Sequence, residues 1–170
     1  GGEEESATGS VDKHREVAGF VMVGDEEMNE RAAQALLEKC PEDDVMVTAE
    51  SKGIALAYEM ARIGGRNYVV ARKGIKAYME DPIHVEVKSI TTDHVQKLFL
   101  SEEDKLVMEG KRILIVDDVI STGESLEAME ALVNTFGGNI VGRATVLAEG
   151  DAADRKDIIF LEPLPLFFNE

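Results

Sequence analysis

The chain has 170 residues, with 18 Lys and Arg against 34 Asp and Glu, a net charge of −16, and one cysteine. That length suits one domain with a buried sheet. The acidic balance excludes a general nucleic-acid surface, because no basic stripe is available to neutralise a phosphate backbone, and a lone Cys40 excludes an internal disulfide.

Residues 1–10 (Gly-Gly-Glu-Glu-Glu-Ser-Ala-Thr-Gly-Ser) show no apolar periodicity and read as a flexible or appended leader, leaving residues 11–170 as one domain. Val17–Val23 is apolar enough for a strand, and Asp25 is placed to cap a helix carrying Met28, Ala32, Ala35, Leu36 and Lys39, which Pro41 stops. Cys40 is then a helix-end residue rather than a nucleophile. Val45–Val47 predicts a short buried strand, and Ile54, Leu56, Tyr58, Met60 and Ala61 predict the helix after it. Tyr68–Ala71 is the next strand. Val85–Ile90 and Val95–Leu100 predict a β-hairpin with Thr91-Thr92-Asp93-His94 near its tip, where a lone histidine is most simply exposed. Ile113–Val116 is an apolar strand of the kind covered on both faces. The helix after it, with Leu126, Met129 and Val133, ends at Gly137-Gly138; Ile140–Leu147 and Ile158–Leu161 are the last strands. Strands alternating with helices imply an α/β fold, a central mostly parallel sheet flanked by helices with right-handed crossovers. No apolar run approaches a membrane span and no signal-peptide pattern appears, so a reduced cytoplasmic setting is expected.

The segment with the most chemical content is Ile113-Leu114-Ile115-Val116-Asp117-Asp118-Val119-Ile120-Ser121-Thr122-Gly123-Glu124-Ser125. Its two carboxylates follow the apolar run, at the carboxyl end of a strand, where open α/β sheets place their ligands. Ser121, Thr122, Gly123, Glu124 and Ser125 then open a helix, where free N–H groups and hydroxyls suit a phosphate. Glu50-Ser51-Lys52-Gly53 forms a second strand-to-helix turn able to point N–H groups at an anion, and a lysine there sits poorly with the helix dipole unless an anion joins it. Arg72-Lys73 ends the next strand; as an ordinary feature it would be a charged strand end screened by water.

The thirteen-residue segment resembles the phosphoribosyl pyrophosphate (PRPP) motif of the type I phosphoribosyltransferases, and the resemblance runs from about Val17 to Phe168, in spacing as well as motif. It implies the type I fold with a β-hairpin flexible loop over the site. It also implies transfer of the 5-phosphoribosyl group from PRPP to a purine (adenine, xanthine or hypoxanthine), with Mg²⁺ held through PRPP and water rather than by a direct protein ligand. By the same resemblance Asp117 and Asp118 contact the ribose hydroxyls, and residues 121–125 wrap the 5′-phosphate. Glu50, Ser51, Lys52, Gly53, Arg72 and Lys73 are the candidates for pyrophosphate, Lys73 ahead of Arg72. Val119, Ile120, Leu147 and Glu149 are those for the base. Ser89-Ile90-Thr91-Thr92 is closer to the xanthine enzymes and purine-operon repressors than to adenine enzymes. Ser121 stands where hypoxanthine–guanine enzymes carry an Asp, which sets this chain apart from their proton-transfer arrangement. A homodimer is the implied assembly, with no membrane or nucleic-acid partner. Two alternatives share the motif: a non-catalytic PRPP or nucleotide sensor of the purine-repressor type, for whose winged helix nothing before Val17 provides, and a transferase for a non-purine acceptor.

Overall fold

The structure is a computed structural model that describes residues 26–79, 82–88, 95–120 and 123–161. The leader, the strand predicted over Val17–Val23, the Asp25 cap, the hairpin tip with His94, Ser121 and Thr122, and the tail beyond Leu161 lie outside the described residues.

Helix α1 (Glu26–Lys39) begins with Glu26 and Glu27 and ends with Lys39, charges that complement its dipole, and it buries Ala32, Ala33 and Leu36. Strand β1 (Val45–Ala49) is buried over its first four residues. Helix α2 (Gly53–Gly64) buries Leu56, Ala57 and Met60 and ends at Gly65, whose left-handed conformation lets its N–H reach the Ala61 carbonyl. Strand β2 (Asn67–Ala71) follows. The predicted hairpin forms as β3 (Ile83–Lys88) and β4 (Val95–Leu100), antiparallel from Ile83↔Leu100 to Lys88↔Val95. It is fastened to the end of β2 by a two-bond bridge: the Arg72 N–H donates to the Phe99 carbonyl at 2.9 Å and the Phe99 N–H to the Arg72 carbonyl at 2.7 Å.

Helix α3 (Glu102–Met108) is absent from the sequence reading. The Ser101 hydroxyl accepts the Asp104 N–H at 3.1 Å, and Glu102, Glu103 and Asp104 fill the first turn. The remaining elements are β5 (Arg112–Ile120), α4 (Glu124–Thr135), β6 (Asn139–Ala148), a 3₁₀ turn (Gly150–Asp154) and β7 (Ile159–Phe160). The motif strand is longer than predicted. It runs through the acidic pair, with Asp117 opposite Thr145 and Val119 opposite Leu147 on β6.

The five-stranded sheet is parallel throughout, in the order β2-β1-β5-β6-β7. Its two faces are covered separately. Leu36, Leu56 and Met60 of α1 and α2 pack with Met46, Leu114 and Val116, while Leu126, Met129, Leu132 and Val133 of α4 pack with Val47, Ile113, Ile115 and the hairpin's Leu98 and Leu100. The chain therefore leaves β1 towards one face and β5 towards the other. Neighbouring strands whose exits diverge open a crevice at their carboxyl ends, the switch point at which such sheets bind ligands. At the opposite ends of the same strands Asp44 clasps Arg112, accepting its backbone N–H at 2.8 Å and its guanidinium at 2.9 and 3.2 Å. That clasp holds the Asp44 carboxyl down at about 2.

Candidate functional site

The β1–β5 crevice holds a cavity of about 320 Å³ lined by Glu50, Ser51 and Lys52 from the turn after β1, Lys73 from the end of β2, Asp117, Asp118 and Val119 from β5, and Ser125 from α4. Gln96 and Leu98 of β4 close one side. A second cavity of about 410 Å³ shares Lys73, Gln96, Leu98 and Ser125 with the first and extends under the hairpin. Segments far apart in sequence, from Glu50 to Asp118, thus bring three carboxylates and two lysines to one depression.

The turn after β1 owes its shape to a close approach. A β-carbon on Gly53 would fall 2.2 Å from the Thr48 hydroxyl and 3.4 Å from Asp117 Oδ1. Only glycine lets the first turn of α2 settle against β1 and beside the acidic pair. The preceding Glu50–Ser51 peptide bond is cis, and the Ile54 N–H closes the turn on the Ser51 carbonyl at 3.2 Å. Lys52, exposed at the helix start, has no acidic residue near it in the first turn of α2.

Glu50 does something other than hold an anion itself. Its Oε1 accepts the Lys73 backbone N–H at 2.7 Å and its Oε2 lies 3.4 Å from Lys76 Nζ. These contacts, with the Lys73 N–H foremost, hold its carboxyl below the usual carboxylate range. Glu50 is thereby a tie between the turn that carries Lys52 and the segment that carries Lys73.

Asp118 is buried and Asp117 half-buried at the cavity floor. Each carboxylate caps the next peptide: Asp117 Oδ1 accepts the Asp118 N–H at 2.8 Å and Asp118 Oδ1 the Val119 N–H at 2.9 Å. Burial, and then the adjoining Asp118 side chain and its charge, push Asp117 well above the ordinary range, with Lys73 opposing. A group donating hydrogen bonds to the carboxylates, or a cation, would offset that shift. Among the described residues no group of three or more His, Cys, Asp or Glu is disposed to hold a metal ion.

Other sequence candidates fall elsewhere. Gly123, with φ +87°, is the N-cap of α4, and its carbonyl accepts the Glu127 N–H at 2.8 Å. Glu124 begins that helix half-buried. Arg72 bridges Phe99 through its backbone alone and is not among the residues lining the cavity. Ile120 packs in the core beside Leu126 and Met129. Leu147 and Glu149 continue β6 next to β5, the Glu149 N–H donating to the Ile120 carbonyl at 2.9 Å. Cys40 is partly buried at the far end of α1, and burial with Asp43 pushes its thiol up to about 11, which keeps it protonated and unreactive. Gln96 and Leu98 are lining residues that the sequence reading did not single out; the hairpin alternation was legible, but not which of its faces meets the crevice. Among the described residues no helix is long and apolar enough to cross a membrane.

Comparison with known proteins agrees with this geometry. Residues 23–164 match the phosphoribosyl transferase domain. An adenine phosphoribosyltransferase from Rhodococcus jostii is 32% identical over 113 residues, 66% of this chain and 62% of that protein. A probable purine biosynthesis transcriptional regulator from Streptococcus pneumoniae is 29% identical over 114 residues, 66% of this chain and 40% of that protein. The matched stretch is thus less than two thirds of either relative's length. The crystal structure of adenine phosphoribosyltransferase from Thermoanaerobacter pseudethanolicus superposes with a TM-score of 0.67 at 24% identity, covering 82% of this chain and 83% of that one.

Proposed function

The chain belongs to the phosphoribosyl transferase domain family, and from that premise we propose that it moves the 5-phosphoribosyl group of PRPP onto a purine with release of pyrophosphate. The observation that carries the reading is the convergence of an acidic pair and two helix-start turns on one crevice at the β1–β5 switch point. In this reading Asp117 and Asp118 accept hydrogen bonds from the ribose 2′- and 3′-hydroxyls. The loop of residues 121–125 takes the 5′-phosphate through N–H groups at the start of α4. Ser51, Lys52 and Lys73 meet the pyrophosphate, while Glu50 keeps Lys73 in position.

Two cavity-floor carboxylates are too few to cage a divalent ion, which suits a Mg²⁺ that keeps several waters and is held by the substrate's phosphates, with the carboxylates reaching it through water. When bound, Mg²⁺ would neutralise charge on the departing pyrophosphate. The chain's own groups position the two reactants and meet the developing charge. The bond from C1 of ribose to the pyrophosphate oxygen breaks with its electron pair going to pyrophosphate, a purine nitrogen bonds C1 from the opposite side, and that nitrogen gives its proton to solvent or to the departing pyrophosphate. No enzyme nucleophile is required. The hairpin carrying Gln96 and Leu98 walls one side of the crevice, and water kept from the reacting centre there would not capture an oxocarbenium-like ribose. The reading extends to a cytoplasmic homodimer, for which the face of Ile54 and half-exposed Tyr58 beside Ser51 is an available apolar surface.

A PRPP or nucleotide sensor is the second reading, favoured by the similarity to a transcriptional regulator; a transferase for a non-purine acceptor is the third. Incubation with PRPP, Mg²⁺ and a panel of bases, with pyrophosphate as the readout, separates them. The expected result is release that depends on a purine, with adenine, xanthine and hypoxanthine tested in parallel. Binding without release would replace the enzyme by the sensor, and release with only non-purine acceptors would replace the purine.

A further inference from the structure

One face of the hairpin is apolar at every paired position but one. The register sets Ile83 opposite Leu100, Val85 opposite Leu98 and Val87 opposite Gln96, and directly opposed residues point to the same side. Leu98 and Leu100 are buried in the core, and Ile83, Val85 and Val87 pack against it. The other face takes the polar and aromatic residues: Glu86 pairs with Lys97 at 3.4 Å, and the His84 ring lies 5.3 Å from that of Phe99. Gln96 therefore stands where the alternation of β4 calls for an apolar side chain. It sits where the row of leucines leaves the core, and it lines both the crevice and the cavity under the hairpin.

The bridge between Arg72 and Phe99 brings that amide to Lys73. Its two backbone hydrogen bonds pin β4 to the end of β2, so the residue after Arg72 and those before Phe99 run side by side. Lys73 and Gln96 accordingly border the same two cavities. The Lys73 backbone is held from the other side by Glu50, at 2.7 Å. The pyrophosphate end of the crevice is thus framed by Ser51 and Lys52 from one wall, Lys73 between, and Gln96 from the hairpin. Pyrophosphate oxygens are acceptors, and a primary amide offers them N–H donors without needing a charge of its own. A carboxylate of the same shape would offer none and would repel the ligand.

We propose that Gln96 is a binding residue for pyrophosphate, donating its amide N–H to a pyrophosphate oxygen beside Lys73. The inference rests on the phosphoribosyltransferase reading and adds to it a contact made by the hairpin.

Calorimetric titration of pyrophosphate with Mg²⁺ and, separately, of ribose 5-phosphate, into wild type, Gln96→Leu and Gln96→Glu tests it, with thermal melts to establish folding. The Leu variant completes the apolar face, so its melting temperature should equal or exceed that of wild type. Loss of a hydrogen bond to a charged group should weaken its pyrophosphate binding by about tenfold or more. The Glu variant should lose more, and ribose 5-phosphate affinity should stay within about twofold in both. Should the Leu variant fail to fold, the Glu variant, which keeps the shape of the side chain, carries the same comparison. Unchanged pyrophosphate binding overturns the assignment. So does a parallel loss of both ligands, the mark of a merely structural role in the hairpin, and so does a loss confined to ribose 5-phosphate. Failure of the wild type to bind either ligand would instead remove the phosphoribosyltransferase reading, and the role of Gln96 with it.

Discussion

Changing Asp117 and Asp118 together to Asn is expected to abolish turnover while leaving the protein folded. Each carboxylate is assigned a charge-assisted hydrogen bond to a ribose hydroxyl, worth about 1.5–3 kcal/mol. Losing both should cost about 3–6 kcal/mol, or about 10²–10⁴-fold in kcat/KM. The fold should respond in the opposite direction. Asp117 is pushed up by burial and by Asp118, so the folded chain holds that proton more tightly than the unfolded chain does. The stability this contributes is complete below the ordinary carboxylate pKa of 3.8 and is lost as pH rises through the elevated folded value. Asp117→Asn has no such titration. Melts of the single variant should coincide with wild type in acid and lie above it at neutral pH, by about 2–4 °C for each kcal/mol recovered in a chain of this size. Loss of turnover in the double variant, together with a higher neutral melting point in Asp117→Asn, is the signature of a site that carries electrostatic strain for binding. Retained activity in the double variant would strip the pair of its role, and a lower neutral melting point for Asp117→Asn would show that the carboxylate is a structural element.

The second large effect is expected at Gly53. An alanine β-carbon there would meet the Thr48 hydroxyl at 2.2 Å, a distance that forces the helix start away from β1. Overpacking of this kind costs about 1–3 kcal/mol, and the displaced turn carries Ser51 and Lys52, so the KM for PRPP should rise as well. Thr48 Oγ1 is buried without a hydrogen-bond partner among the described residues. Thr48→Ala therefore removes the colliding atom without breaking a hydrogen bond seen there, at the modest cost of a lost methyl. In a denaturant-unfolding double-mutant cycle, Gly53→Ala should be far better tolerated on the Thr48→Ala background, with a coupling of about 1 kcal/mol or more. Strictly additive costs would show that Gly53 is needed for something other than this contact.

Both effects depend on parts of the molecule that were unequally legible in the sequence. The periodicity of α1 and its stop at Pro41, the short strands, the hairpin and the Gly137-Gly138 break could all be read because each is a local pattern, reinforced by capping or turn residues. Helix α3 carried a readable signal too, Ser101 followed three residues later by an acidic side chain, but at seven residues it is too short to show an apolar period. Asp117 and Asp118 were expected just past the end of their strand, since aspartate is a poor strand residue in isolation. Pairing of Asp117 with Thr145, and of Val119 beyond the pair with Leu147, on a central neighbour overrides that preference. Ile120 and Arg72 were assigned to the site by the resemblance; Ile120 packs into the core, and the backbone of Arg72 bridges Phe99. Glu50 as a tie for Lys73 depends on a contact between residues more than twenty apart, which no single-sequence pattern encodes.

The most direct measurement is calorimetric titration of the wild-type chain with PRPP in the presence of Mg²⁺. The account predicts a saturable heat with one site per chain, abolished in the Asp117→Asn, Asp118→Asn variant. Absence of any saturable heat from wild type, or the same heat from the double variant, would contradict it.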